Sequence, residues 1–334
     1  MRCYGRSMTQ HEPLRWGIAA TGSIAASMCE ALDTLPDARI TAVGSRSKAS
    51  ADAFAARFGI PSAHGSYEQL FDDPEVDIVY VASPHSHHHA MTIAALDAGK
   101  HVLCEKAFAV NAAQAREMVE AARRNDRFLM EAMWTWFIPA VVDIRQRVLD
   151  GEIGELKVVH ADFGIAKFDP DGRHRRADLA GGAMLDIGIY PITFARFLAG
   201  DPVDVKVLGT LGDTGVDTTV GGVVSFESGA IGTFHTSLDM ITSLGASVFG
   251  TFGRIDVDPP FWFPSGFTVR LVGEQPAHVD MPNHGLAHEA QHAIERIRAG
   301  HRESDVIPLA TTVSTMELLD EIRSQLGVVY PGER

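Results

Sequence analysis

The sequence predicts an α/β protein in two parts, a doubly wound parallel sheet over residues 14–137 and an α/β domain with a mainly antiparallel sheet over residues 138–334. Three observations carry this expectation. Short apolar runs alternate with amphipathic stretches as far as Phe137. Beyond it, apolar runs follow one another with few helices between them. A small-residue turn, Gly17-Ile18-Ala19-Ala20-Thr21-Gly22, joins the first strand to the first helix.

Taken in order, residues 14–20 read as a strand and 24–35 as a helix, then 38–45 as a strand and 50–59 as a helix stopped by Gly59 and Pro61. Residues 76–83 (VDIVYVAS) form a third strand, apolar without alternation, as in a sheet buried on both faces. A helix at 88–99, a strand at 100–106, a helix at 111–125 and a strand at 127–133 complete the first part. A helix at 138–151 opens the second. Strands are expected at 156–164, 203–211, 218–227, 230–238, 245–251, 253–258 and 267–272, with ESGA (227–230) as a hairpin turn. Helices are expected at 183–200, 286–300 and 309–327, the last packing back on the first domain. The boundary is a change of period without a Gly/Ser linker, which predicts domains in intimate contact.

Lys and Arg number 29 against 43 Asp and Glu, a net charge of −14. Basic residues form only short clusters, which argues against a nucleic-acid partner. Cys3, Cys29 and Cys104 lack metal-site or disulfide spacing. Residues 1–13 read as a flexible polar leader without a signal-peptide core, and no apolar run reaches the ~18 residues of a membrane span. The expectation is a cytoplasmic protein acting on a small molecule.

The first turn matches G-x-G-x-x-G with Ala19 at the second glycine. Between a strand and a helix, such a turn offers backbone N–H groups to a pyrophosphate. Gly17, Ala19, Thr21, Gly22, Ser23 and Ile24 are the expected contacts. A site for NAD needs an acidic residue at the end of the second strand to hold the ribose 2′-OH. Here the strand runs into Ser45, Arg46, Ser47 and Lys48, a set suited to a 2′-phosphate, so NADP is the expected cofactor. His85, His87, His88 and His89 fan around a helix start with no supporting carboxylates, so no metal is expected. Ala82, Ser83, Pro84, His85 and His88 are assigned to the cofactor instead. Glu105 and Lys106 end the next strand, over the site. In the second part, Asp186 and Tyr190 are i,i+4 neighbours. Pattern alone leaves them even between a helix-dipole aspartate with a core tyrosine and an acid/base tyrosine backed by a carboxylate.

GIAATGSI (17–24), Glu105-Lys106, MEAMWTWFIP (130–139) and GGAMLDIGIYP (181–191) together resemble the glucose–fructose oxidoreductase/inositol dehydrogenase family (Gfo/Idh/MocA). Within it they are most similar to the dihydrodiol dehydrogenase and NADP-dependent D-xylose dehydrogenase branch. The resemblance implies an N-terminal Rossmann domain and an open C-terminal sheet, with a homodimer or dimer of dimers formed through that sheet. It also implies hydride exchange between NADP and a sugar-like or cyclic diol or ketone substrate. It implies Lys106 as catalytic lysine, Asp186 behind it and Tyr190 as acid/base, with Trp134 beside the cofactor. Arg173, Trp136 and Phe163 are assigned to the substrate. Two departures from the family pattern stand out. Ala107 replaces a proline, which predicts a trans Lys106–Ala107 peptide, since cis costs about 2.5–4 kcal/mol without proline. Trp136 replaces an arginine. A non-catalytic NADP-binding protein and an NAD-dependent glycosidase of the same fold are the competing readings.

Overall fold

The computed structural model describes residues 12–166, 169 and 171–333. Most of the leader, residues 1–11, lies outside them. Strands β1 (Leu14–Ala19), β2 (Ala38–Gly44), β3 (Ser62–His64), β4 (Ile78–Val81), β5 (His101–Glu105) and β6 (Leu129–Ala132) form one parallel sheet in the order β3-β2-β1-β4-β5-β6. All four residues of β4 are buried, because helices cover both faces. Among these helices are α1 (Ser23–Asp33), α2 (Lys48–Phe58), α4 (His85–Asp97) and α5 (Ala112–Arg124); a short α3 (Tyr67–Phe71) and β3 escape the sequence reading because each is five residues or fewer. The strand order reverses between β1 and β4. That switch point opens a crevice at the carboxyl ends of the strands, where ligands bind in sheets of this type.

A 3₁₀ turn (Trp134–Phe137) and helix α6 (Pro139–Leu149) lead into the second sheet. Its strands are β7 (Leu156–Gly164), β8 (Pro202–Leu211), β9 (Asp217–Phe226), β10 (Ile231–Ser237), β11 (Ala246–Gly250), β12 (Gly253–Val257), β13 (Gly266–Leu271) and β14 (Ala277–Asp280). The order is β14-β13-β12-β11-β7-β10-β9-β8, antiparallel except where β10 runs parallel to β7. One face buries Val159, Val224, Phe234, Val248 and Ile255. On the other, Lys206, Val223, Thr233, His160, Ser247 and Asp256 stand in register across six strands.

Residues 177–199 are apolar enough in composition to cross a membrane, yet every residue from Ala180 to Ala199 is buried inside the protein. It ends in α7 (Ile189–Ala199), which packs on β7 and β10. Helices α8 (Ala287–Arg298) and α9 (Leu309–Leu326) close the chain, and α9 packs on both β8 and α5. Asp320 accepts from the Ala112 N–H at 2.9 Å, and Thr312 donates to Glu131 at 3.0 Å. The two domains thus share buried polar contacts as well as apolar ones.

Candidate active site

A cavity of about 590 Å³ opens at the switch point and is walled by both domains. At one end lies the β1–α1 turn. The turn itself begins at Ala20, three residues after the pattern's first glycine, while β1 and α1 fall within two residues of their expected bounds. Gly17 is inside β1, where a Cβ would come within 2.9 Å of Val76, and Ala19 is buried in the same strand. Neither faces the cavity; their smallness serves sheet packing. The sharp turn is made by Ala20, at φ +122°, and Gly22 is the N-cap of α1, with open space where a side chain would be. No side chain caps α1, so the N–H groups of its first turn are left for a ligand. Ala20, Thr21, Gly22, Ser23 and Ile24 all line the cavity.

Ser45 and Arg46 join them from the end of β2, and Arg46 makes no ion pair among the described residues. Ser47 and Lys48 do not. Ser47 caps α2 by accepting from the Ser50 N–H at 3.3 Å, and Lys48 pairs with Asp52 one turn on. Local helix chemistry claims both. The uncapped α1 terminus, the free arginine and the open space at Gly22 fit a dinucleotide with its pyrophosphate on the turn.

Ala82, Ser83, Pro84 and His85 form the next wall. His85 Nδ1 lies 2.9 Å from the Ala180 carbonyl, across the domain boundary. His88 is fully buried and is not part of the cavity wall; its ring nitrogens lie 2.8 Å from the Ser83 carbonyl and 2.9 Å from the Ala107 carbonyl. Burial pushes His85 down to about 3 and His88 down to about 4; a neutral His88 ring carries one N–H and donates to only one of its two carbonyl neighbours. The Lys106–Ala107 peptide is cis, contrary to expectation. Ala107 is fully buried and its carbonyl is held against His88, so tertiary contacts set the isomer that residue type alone disfavours.

At the far end of the cavity stand Lys106, Asp186 and Tyr190. Lys106 Nζ donates to the Asp186 carbonyl at 2.6 Å and sits 4.6 Å over the Tyr190 ring. The local helix explains why that carbonyl is available. Residues Met184–Gly188 are wound as a π-turn, and in that register the residue that would donate back to Asp186 is Pro191, which has no N–H. The Asp186 carboxylate lies 3.0 Å from Arg173 and 2.8 Å from His174 Nδ1. Burial alone would raise the Asp186 carboxyl, but His174, Lys106 and Arg173 hold it well below the usual carboxylate range. Gly181 makes this possible, since a Cβ there would meet the His174 and Arg173 carbonyls at 2.6 and 2.7 Å.

Tyr190 Oη accepts from Trp134 Nε1 at 2.9 Å. Burial and the Glu105 charge push the phenol well above its ordinary value, so it is protonated at neutral pH. Burial pushes Lys106 down, against the pull of Asp186 and Glu105. Trp134 therefore sits at the phenol oxygen and not in the nucleotide cavity where it was expected. Phe163 stacks on Trp262 at 3.6 Å and stands behind Tyr190, 5.6 Å from its ring. Trp136 is not in the site. Its ring stacks on Phe197 and its Nε1 donates to the Thr193 carbonyl at 3.1 Å, which makes it a core residue.

Glu105 accepts from the Tyr80 hydroxyl and from the Lys106 N–H. Behind it, Glu131 and Glu289 are buried, and burial pushes the Glu131 carboxyl up to about 7. His174 and Trp262 were missed by the sequence reading. His174 is hidden in a basic run, and Trp262 in the apolar segment Phe261-Trp262-Phe263, whose composition reads equally as core. No group of metal-ligating side chains occurs among the described residues.

Comparison with known proteins agrees with this architecture. Residues 14–133 match the family model of oxidoreductases with an NAD-binding Rossmann fold, and residues 141–256 match the GFO/IDH/MocA C-terminal domain. The human trans-1,2-dihydrobenzene-1,2-diol dehydrogenase is 39% identical over 332 residues, covering 96% of this chain and 99% of its own. The zebrafish (Danio rerio) enzyme of that name is 37% identical, covering 95% and 98%. Among solved structures, aldose-aldose oxidoreductase from Caulobacter crescentus superposes with a TM-score of 0.87 at 26% identity, covering 95% of this chain and 98% of that one. KijD10, a 3-ketoreductase from Actinomadura kijaniata solved with NADP and TDP-benzene, gives 0.85 at 25% identity, covering 94% and 98%. With both domains matched and its relatives spanned end to end, the chain belongs to the Gfo/Idh/MocA family and is an NAD(P)-dependent oxidoreductase.

Proposed function

We propose that this protein is an NADP(H)-dependent dehydrogenase or reductase that interconverts a secondary alcohol and a ketone on a cyclic diol or sugar-like substrate, with Tyr190 as the proton-carrying group. The observation that carries this reading is the triad at the closed end of the cavity: a buried phenol, an indole N–H on its oxygen and an ammonium over its ring. When bound, the nicotinamide supplies or takes the hydride. The chain's own residues do the rest. The first turn of α1 holds the pyrophosphate, and Ser45 with Arg46 receives the 2′-phosphate. Tyr190 holds a proton at Oη, and because Trp134 already donates to that oxygen, the phenolic hydrogen is free to point at the substrate. As the proton leaves, the Trp134 N–H and the Lys106 charge stabilise the phenolate. Lys106 uses one donor on Asp186 and has two more for the substrate oxygen. Ionised Asp186 keeps Arg173 and His174 in place at the cavity wall.

The names of the relatives favour a cyclic diol or its ketone over an open-chain substrate. The test is an absorbance assay with purified protein against trans-diols, aldoses and cyclic ketones, run with each cofactor. Turnover of a cyclic diol or ketone with NADP(H) at least ten times more efficient than with NAD(H) is the expected result. Equal efficiency with both cofactors overturns the NADP reading, and no turnover overturns the function.

A second copy of this chain is the proposed partner, docked on the exposed sheet face where Leu208, Val223 and Ile231 are 85%, 46% and 42% exposed. Sedimentation equilibrium at monomer mass overturns it.

A further inference from the structure

Helix α9 stops at Gly327, whose φ of +75° turns the chain back, and Val328 and Tyr330 are buried beyond it. The segment after the helix therefore lies against the protein, and its polar groups reach both domains. The Glu333 carboxylate accepts from Asn111 Nδ2 at 2.8 Å and from the Tyr330 N–H at 2.9 Å. It also accepts from the buried Arg323 guanidinium at 2.9 and 3.1 Å, charge-assisted bonds that fix its orientation. The Tyr330 hydroxyl donates to the Gly181 carbonyl. Asn111 belongs to the first domain and Gly181 to the second.

Each contact lies a few residues from a group of the candidate active site. Asn111 is the N-cap of α5; its Oδ1 accepts from the Gln114 N–H at 2.9 Å, which leaves Nδ2 for Glu333. Between Asn111 and Lys106 stand Ala107, Phe108, Ala109 and Val110, all buried. In so closely packed a run, a shift of Asn111 is passed on to Lys106. On the other side, the Gly182 N–H donates to the His174 carbonyl at 2.8 Å, and the Gly182 carbonyl accepts from the Asp186 N–H at 3.3 Å. The Gly181 segment thus carries Asp186 together with Arg173 and His174, which hold its carboxylate. Where the two domains face each other here they leave a hollow of about 140 Å³, lined by Asn111 and Gln114 from one and Ala180 from the other. Tyr330 and Glu333 line it too, bridging its two walls.

We propose that Glu333 is a positioning residue: together with Tyr330 it clamps the segment that carries Lys106 to the segment that carries Asp186. The clamp sets the contact of Lys106 Nζ with the Asp186 carbonyl, and with it the place of the ammonium over the Tyr190 ring. Its effect on turnover rests on the acid/base reading of Tyr190, but the clamp itself is read without turnover.

The test is hydrogen exchange of the NADP-loaded protein, followed peptide by peptide, beside steady-state kinetics. Glu333→Ala removes the carboxylate. Asn111→Asp keeps a good N-cap on α5 but sets a second carboxylate against Glu333. In both variants the amides of residues 106–110 and 182–186 are expected to exchange about tenfold faster, with those of β1 and β2 unchanged. The expected fall in kcat is up to about 10²-fold, the cost of a misplacement of about 1 Å, with KM and NADP affinity held within about threefold. Adding Glu333→Gln to Asn111→Asp exchanges donor and acceptor and is expected to recover most of both effects. Faster exchange confined to the two stretches supports the clamp even when the parent turns nothing over, a result that sinks the catalytic reading alone. Unchanged exchange at either stretch overturns the clamp even in an active enzyme. An increase spread evenly over the chain also overturns it, because Glu333 then stabilises the fold with no selective hold on the site. So does full turnover despite faster exchange, or a double variant that recovers nothing. If Glu333→Ala does not fold, Asn111→Asp and the double variant carry the same test.

Discussion

At the α1 end of the cavity Gly22, Ser23 and Arg46 are exposed, and among the described residues no side chain caps the helix and Arg46 makes no ion pair. At the Lys106–Tyr190 end Glu105, Asp186 and Tyr190 are buried, and each is already hydrogen-bonded within the protein. The difference is what the proposed roles of the two ends require. A dissociable dinucleotide brings its own charges, so the protein leaves donors free to meet them. A proton-transferring group must have its charge state set before substrate arrives, so its partners are built in.

Four substitutions break or sharpen that contrast. Tyr190→Phe keeps the ring's packing and removes only the oxygen. Turnover is expected to fall by about 10²–10⁴, the usual share of a positioned acid or base, with NADPH affinity unchanged in a fluorescence titration. Full turnover under chemistry-limited conditions would make the tyrosine a core residue.

Glu131→Gln probes the cost of the buried carboxyls. With its pKa near 7 in the fold and about 4.3 unfolded, Glu131 costs nothing below the unfolded value. The penalty builds as pH rises between the two and is constant above the folded one. The variant is therefore expected to be more stable than the parent at pH 8, by up to about 4 kcal/mol, and no more stable at pH 4. Melting curves at the two pH values decide it, and a gain equal at both would refute the linkage.

At the open end, Arg46→Ala is expected to weaken NADP by about 1.5–3 kcal/mol, the worth of a hydrogen bond to a charged group, and to leave NAD unchanged. A matched loss for both cofactors would place Arg46 on the shared part of the nucleotide. The smallest effect belongs to Ala20, held at φ +122°. Glycine enters that region freely, and relief of about 1 kcal/mol is expected to raise the melting temperature of Ala20→Gly by a few degrees. A lower melting temperature would mean that the alanine methyl contributes packing that outweighs the backbone relief.

Sequence patterning located the two sheets and the longer helices to within about three residues, because strand and helix periods are local. The cavity was legible where chemistry follows chain order. Lys106 at the end of β5 and Ser45-Arg46 at the end of β2 lie where the switch-point rule puts them. The register of the fingerprint is ambiguous from residue type because small residues spaced by two occur both in β1 (Gly17, Ala19) and in the turn after it (Ala20, Gly22). Only the strand's pairing, with Ala19 still opposite Gly44, decides which. Trp136 was misplaced for the opposite reason: its neighbour Trp134 faces the site, and a 3₁₀ turn sends the two indoles to different surroundings.

Composition and periodicity thus dictate an α/β chain with a nucleotide crevice, since burying apolar runs of period 2 and 3.6 leaves few alternatives. The partners of Tyr190 are another matter. Trp134, Lys106 and Glu105 come from segments 56 or more residues away from it in sequence. Whether an ammonium meets a phenol's edge or its face depends on helix winding at Met184–Gly188 and on how closely the two domains dock. Those distances are a few ångströms set by packing across a domain boundary, and at that range electrostatics changes steeply with position.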